Sequence, residues 1–417
     1  MAISKTYSWV VVGLLWIVAL LNYLDRQMIS TMRPAMEIDI KELQTATYFG
    51  YLMSVFLWIY GLMSPFSGLI ADRINRKWLI VVSLFVWSAV TFSMGFATNF
   101  NQLYVLRALM GVSEALYIPA ALSLIADYHG SKTLSLAIGL HMTGFYVGQA
   151  LGGFGGTIAG IFSWKETFHY LGFIGIAYAV VLGFLLREKR AIRRNELIDK
   201  AQKKSSLFTH TGKVLGVLLS NMSFWIILIY FASPSLPGWA IKNWLPTLLS
   251  QNLQIPMSQA GPLATITIAV SSLIGVLVGG TISDRWVQTH ARGRIFTSAI
   301  GLGLTIPALI LIAVGGSIAS SVLAAILFGI GYGVFDANNM PILCQIVPPE
   351  KRATAYGIMN MTGVFAGAFI TNQLGKSIDA GNIVSDFVIL GAVVLVAIML
   401  QLFFLTPGKN ENLFYEK

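Results

Sequence analysis

Apolar stretches long enough to cross a bilayer recur along the whole 417-residue chain, and little else about it constrains the fold as tightly. A helix needs about 20 apolar residues to span the hydrocarbon core. Such stretches fall near 8–32, 48–71, 78–97, 102–126, 134–162, 167–186, 215–249, 260–283, 295–315, 319–346, 353–376 and 384–405. They are continuous and do not alternate, so helices are expected and a membrane β-barrel is not. The expected fold is an all-α polytopic membrane protein with twelve transmembrane helices in two pseudo-symmetric six-helix bundles. Charged residues make up 11% of the chain, well under the ~25% a soluble globular protein carries. No small-residue cleavage site follows the first stretch, so it is expected to remain as a helix.

The net charge of +10 does not read as a nucleic-acid signature, because the charges follow the membrane. Only Arg33, Lys41, Lys165 and Lys376 fall on one side, and Arg26, Arg107 and Lys242 fall within spans. Every other Lys and Arg lies on the side of the two termini. That bias predicts cytoplasmic termini, in a cell membrane of the bacterial inner-membrane kind. The expected domains are a helical bundle at 1–186, a basic cytoplasmic linker at 187–213, a second bundle at 214–406 and a tail at 407–417. The lone cysteine, Cys344, excludes an internal disulfide.

The two halves repeat each other. Gly68-Leu-Ile-Ala-Asp72-Arg73 follows the second span and Gly280-Thr-Ile-Ser-Asp284-Arg285 the eighth. Gly111, Glu114 and Pro119 in span four match Gly333, Asp336 and Pro341 in span ten. Met142-Thr143-Gly144 in span five matches Met361-Thr362-Gly363 in span eleven. In the loop after span two, Gly68 is expected to let two helices approach. Asp72 sits where it can meet a helix N-terminus, and Arg73, Arg76 and Lys77 can pair with carboxylates, which makes the cluster a candidate latch. Asn75 in this loop is expected to loosen the turn.

A charge at mid-bilayer costs about 2.5–3.5 kcal/mol on insertion scales, so such residues face the interior and commonly serve transport. Five stand out: Asp25 and Arg26 in span one, Arg107 and Glu114 in span four, and Asp336 in span ten. Asp25 and Arg26 point about 100° apart and cannot simply pair. Arg26 has the planar fork that suits a carboxylate. Arg107 and Asp336 are also compatible with structural ion pairs. The Pro234-x-x-Pro237-Gly238 stretch is expected to break span seven beside a cavity, which makes Lys242 and Asn243 substrate candidates. Tyr23, Tyr146, Gln149 and Asn360 are further binding candidates. Asn22, His141, Asn338, Asn339 and Asn372 have plain readings as interhelical hydrogen bonds.

Twelve spans, a 6+6 repeat, a basic central loop and the G-x-x-x-D-R-x-x-R-K run from Gly68 to Lys77 resemble the major facilitator superfamily. Tyr23-x-Asp25-Arg26, Arg107-x-x-x-Gly111-x-x-Glu114, Trp244-Leu-Pro-Thr247 and Gly357-Ile-Met-Asn360 are similar to its anion:cation symporter branch, which includes hexuronate, galactonate and glucarate carriers. That resemblance implies that Asp25 and Glu114 exchange protons and that Arg26 meets an anionic substrate. Asp25–Arg26 with Glu114 also resembles the spinster-like branch, which moves lipids and other amphiphiles; Phe145, Tyr146 and Trp239 suit such a cargo.

No phosphate-binding loop, catalytic triad or metal-ligand spacing occurs. The expectation is therefore no enzyme, no cofactor and no metal. The expected partners are a small organic anion, protons and the bilayer, with no nucleic acid, and the chain is expected to act as a monomer. Symport of a sugar acid by alternating access is the leading expectation; export of an amphiphile is the alternative, and a membrane-embedded enzyme a remote one.

Overall fold

The computed structural model describes residues 5–130, 133–188, 218–220, 222–347 and 352–405. These are almost wholly helical. The linker at 187–213, beyond residue 188, and the tail at 407–417 lie outside the described residues. So do the side chains of Asp72 and Arg73.

The described helices are α1 (Lys5–Asp39), α2 (Ala46–Arg73), α3 (Arg76–Met94), α4 (Phe100–Ala115), α5 (Tyr117–Tyr128), α6 (Leu134–Gly152), α7 (Gly155–Phe162) and α8 (Trp164–Leu185). Then come α9 (Met222–Leu253), α10 (Met257–Val287), α11 (Gly293–Val314), α12 (Ile318–Ile346), α13 (Arg352–Asp379) and α14 (Ile383–Phe404). Ten of these stretches, with α4 and α5 counted as one, are long and apolar enough to cross a membrane. The chain is a multi-pass membrane protein. The fifth apolar stretch is divided at Gly153 and Phe154 into α6 and α7, and α13 carries too many polar residues to join the ten.

Local chemistry sets the helix ends. Asn75 caps α3 by accepting from the Trp78 N–H at 3.1 Å, so the residue expected to loosen that turn starts the next helix instead. Asn99 does the same for α4 through the Gln102 N–H, at 3.0 Å. Ser317 and Ser320 form a reciprocal capping box on α12.

Glycines set the helix contacts. A Cβ on Gly111 would lie 2.8 Å from the Phe56 carbonyl, and one on Gly144 would lie 2.7 Å from the Trp16 carbonyl. So α4 lies on α2, and α6 on α1, with backbones nearly touching. Their repeat-mates act alike: Gly333 meets the Ser272 carbonyl on α10, and Gly363 meets Phe231 on α9. Gly68 differs from expectation. Nothing lies within 4 Å of the place its Cβ would take, so it is no close-packing point.

The predicted break in span seven is absent. α9 runs unbroken with Pro234, Pro237 and Pro246 inside it. Packing holds it. Gly238 receives the Tyr332 ring, and Trp244 Nε1 donates to the Thr371 carbonyl at 3.1 Å. Pro246 deprives the Lys242 carbonyl of its donor one turn back, and Gln27 Nε2 of α1 supplies one at 3.0 Å.

Most hydrogen bonds between helices before residue 189 and those after 221 lie toward the end where α2 begins and α13 ends. There Asp379 accepts from the Ala46 and Thr47 N–H groups, each at 2.8 Å, and from the Thr47 hydroxyl at 2.6 Å. Thr265 Oγ1 donates to the Ala150 carbonyl at 3.0 Å, and Thr157 Oγ1 to the Ser258 carbonyl at 3.2 Å. This far end is closed.

A charged site between the helices

Asn22, Tyr23, Asp25, Arg26 and Gln27 occupy about one and a half turns of α1. Glu114, at the end of α4, is fully buried, and Arg26 is 9% exposed. Arg26 Nε lies 2.5 Å from Glu114 Oε2. Asn22 Nδ2 donates to the same oxygen at 2.9 Å. Three rings enclose the guanidinium, with centroids at 5.1 Å for Tyr23, 4.8 Å for Phe56 and 4.7 Å for Tyr60. Arg107 lies against the same Phe56 at 4.5 Å, so one benzene ring serves two cations. Arg107 also donates to Met110 Sδ at 2.9 Å. Arg26 Nη2 and Glu114 Oε1 are buried with no hydrogen-bond partner among the described residues.

Asp25 points elsewhere, as the 100° offset requires. It accepts from Thr91 Oγ1 of α3 at 3.3 Å and is 5% exposed. Its charge acts on Glu114 and Arg107 within the α1–α3–α4 cluster.

Facing this cluster are α9 and α12. Lys242 Nζ stands 5.1 Å from the Trp239 ring and 5.7 Å from that of Tyr332. Asp336 accepts from Asn339 Nδ2 at 3.2 Å. Asp336 is exposed, although its charge reaches Tyr23 on α1, Tyr146 on α6, Lys242 on α9 and Tyr356 on α13. An exposed residue within reach of four helices lines an open space between them. Gln27, Gln149, Lys242 and Thr265 line a small pocket on its closed side.

The remaining candidates divide. Tyr23 and Tyr146 border the open space, and Tyr23 also packs at a tilt against Phe145, ring centroids 4.7 Å apart. Asn243 donates to Thr371 Oγ1 at 2.8 Å and is 7% exposed, which commits it to the α9–α13 contact. Asn360 donates to Ser64 Oγ at 3.4 Å, joining α13 to α2. His141 is buried between Tyr117 and Phe145. Arg76 pairs with Asp127 and donates to the Ser123 carbonyl at 3.0 Å. Lys77 lies over Trp78, and Asp284 pairs with Arg294 at 3.3 Å, while Arg285 is exposed. Among the described residues no group of His, Cys, Asp or Glu side chains could hold a metal ion.

Sequence reasoning missed Phe56, Tyr60, Gln27 and Tyr332. Tyr332 had a signal: it precedes Asp336 by one helical turn on the same face. Gln27 had one as well, being polar and adjacent to the charged pair.

A multi-pass helical bundle with an ion pair buried beside an open interior space defines a membrane-transport class of protein. The chain belongs to the Major Facilitator Superfamily, whose family model matches residues 15–371. It is 25% identical to the "Probable galactarate/D-glucarate transporter GarP" of Escherichia coli (strain K12), over 97% of this chain and 96% of that protein. It is 25% identical to "Protein spinster homolog 1" of Xenopus laevis, over 91% of this chain and 75% of that one. Its fold matches the crystal structure of a bacterial homolog of the human lysosomal transporter spinster in an inward-facing and occupied conformation. That match has a TM-score of 0.78 and 19% identity, covering 96% of this chain and 97% of the other. Members of this family are transporters, and the protein is not an enzyme.

Proposed function

We propose that the protein is a proton-coupled symporter of an organic anion, a sugar acid, working by alternating access. The Arg26–Glu114 pair carries this reading. It is a guanidinium held by one carboxylate in a water-poor site, with a further N–H free for an anion. A substrate carboxylate and Glu114 compete for Arg26. Protonating Glu114 removes its claim and releases the guanidinium to the substrate. By linkage, substrate on Arg26 promotes protonation of Glu114 to the same degree. Asp25, whose charge acts on Glu114, is the second proton site. The names of the galactarate/glucarate and galactonate transporters among its relatives support the sugar-acid class.

In this reading twelve spans form two six-helix halves, 1–186 and 214–406, joined by the basic linker 187–213 in the cytoplasm. Both termini are cytoplasmic, and the protein sits as a monomer in the inner membrane. Gly68, Asp72, Arg73, Arg76, Lys77, Asp284 and Arg285 belong to gates at the facing helix ends. The structure is then open toward the cytoplasm.

The test is uptake in proteoliposomes with an imposed inward proton gradient. Uptake of galactonate or galactarate should rise with the gradient and collapse with an uncoupler. Glu114→Gln should keep substrate exchange and lose uphill accumulation. Accumulation that survives in Glu114→Gln would remove Glu114 from the coupling role.

The tyrosine-rich wall formed by Tyr23, Tyr146, Tyr332 and Tyr356 supports a second reading, export of an amphiphile as in spinster-like proteins. Competition by amphiphiles and none by sugar acids in the same assay would select it.

A further inference from the structure

The Arg26–Glu114 pair has a counterpart across the open space. Glu114 and Asp336 hold the same place in the internal repeat, three residues after Gly111 and Gly333 and five before Pro119 and Pro341. Those two glycines make equivalent contacts, each against a carbonyl of the helix two spans earlier. Arg26 lies on α1, and Lys242 on α9, the first long helix after the linker. The bond from Gln27 Nε2 to the Lys242 carbonyl, 3.0 Å, puts the two cations at one depth on facing helices. Each cation rests on aromatic rings: Tyr23, Phe56 and Tyr60 for Arg26, and Trp239 and Tyr332 for Lys242.

The two pairs differ in commitment. Glu114 is fully buried and bonded to Arg26 and Asn22. Asp336 is exposed, accepts a hydrogen bond from Asn339, and forms no close ion pair with Lys242. Lys242 is therefore a cation held loosely at the edge of the space. It also lies within reach of the Arg26 charge. Two like charges facing one space repel. A single anionic group on Arg26 relieves only one of them.

Resting on the anion-transport reading above, we infer that the substrate is a dianion. One carboxylate meets Arg26 and the other meets Lys242, with Asp336 partnering Lys242 as Glu114 partners Arg26. The chain between the two carboxylates is hydroxylated, because a hydroxyl-bearing ring stands at each cation, Tyr23 at Arg26 and Tyr332 at Lys242. The proposed second subsite thus makes Lys242 and Asp336 determinants of specificity.

The experiment measures binding of galactarate and galactonate to the purified protein by calorimetry. These probes differ only in bearing a carboxylate or a hydroxymethyl group at one end. Galactarate should bind about tenfold tighter or more, as expected for one added charge-assisted contact. In Lys242→Gln that ratio should fall to near one while galactonate binding persists, which also shows that the variant is folded. Asp336→Asn should keep galactarate binding, because the substrate then has no rival for Lys242. Equal affinities in the parent protein overturn the inference and leave the anion reading standing. So does an unchanged ratio in Lys242→Gln, or loss of galactarate binding in Asp336→Asn. If neither acid binds and Arg26 variants change nothing, both readings fall together.

Discussion

Arg26 is held by one ion pair and three aromatic faces, and those two kinds of contact respond differently to substitution. A lysine keeps the charge and the stacking but loses the planar fork. Arg26→Lys should therefore leave the detergent-solubilised protein folded, with a melting temperature near that of the parent. It should weaken anion binding about tenfold or more, in line with loss of a charge-assisted hydrogen bond. Unchanged affinity in that binding assay would make the arginine purely structural. Asp25, Arg26, Arg107 and Glu114 were legible in the sequence because a charge inside an apolar run has few explanations. Phe56 and Tyr60 were not. A ring in an apolar run reads equally as lipid-facing or core, and only the fold brings it over a guanidinium. Asn243 was singled out for its polarity, and nothing in the sequence signals that Thr371 of a distant helix accepts from its amide.

Helix positions were largely readable, since hydropathy and glycine spacing act locally. Gly111 and Gly333, and Gly144 and Gly363, matched in the repeat, and all four sit against neighbouring helices. The errors fell where long-range packing overrides local preference. Prolines that should break α9 are carried within it, and Gly68 borders open space rather than a neighbour. The α1–α6 contact gives a direct test at this scale. A methyl group on Gly144 would meet the Trp16 backbone carbonyl, which cannot move aside as a side chain can. Gly144→Ala should cost about 1–3 kcal/mol of stability, the usual range for overpacking. Gly139, on the same helix, has no neighbour within 4 Å of its Cβ position, so Gly139→Ala should be neutral or slightly stabilising. Thermal unfolding of both variants in one detergent decides; equal melting temperatures would mean that α6 is free to retreat from α1.

For the whole molecule, the closed far end depends on a few bonds between the first and second sets of helices. Asp379 alone accepts three hydrogen bonds from the start of α2. Its charge also suits the positive end of that helix. Asp379→Asn keeps the shape but removes the charge and one acceptor, so the far end should open more often. Met53 is 3% exposed on α2, beyond this clasp. In a Cys344→Ser background, Met53→Cys should react with a membrane-impermeant thiol reagent from the far side several-fold faster once Asp379→Asn is added. An unchanged rate would show that the clasp does not hold the closed state.

One atom of α9 links these scales. Pro246 leaves the Lys242 carbonyl without a donor in its own helix, and the Gln27 amide from α1 takes its place. Any motion that parts α1 from α9 strips that carbonyl bare at a depth where a naked dipole is costly. A water molecule must then enter as the amide leaves. In the alternation proposed above, each turnover would hydrate and dehydrate this spot, and the rate of switching would follow water activity. Osmolytes too large to enter would slow the protein without touching its substrate.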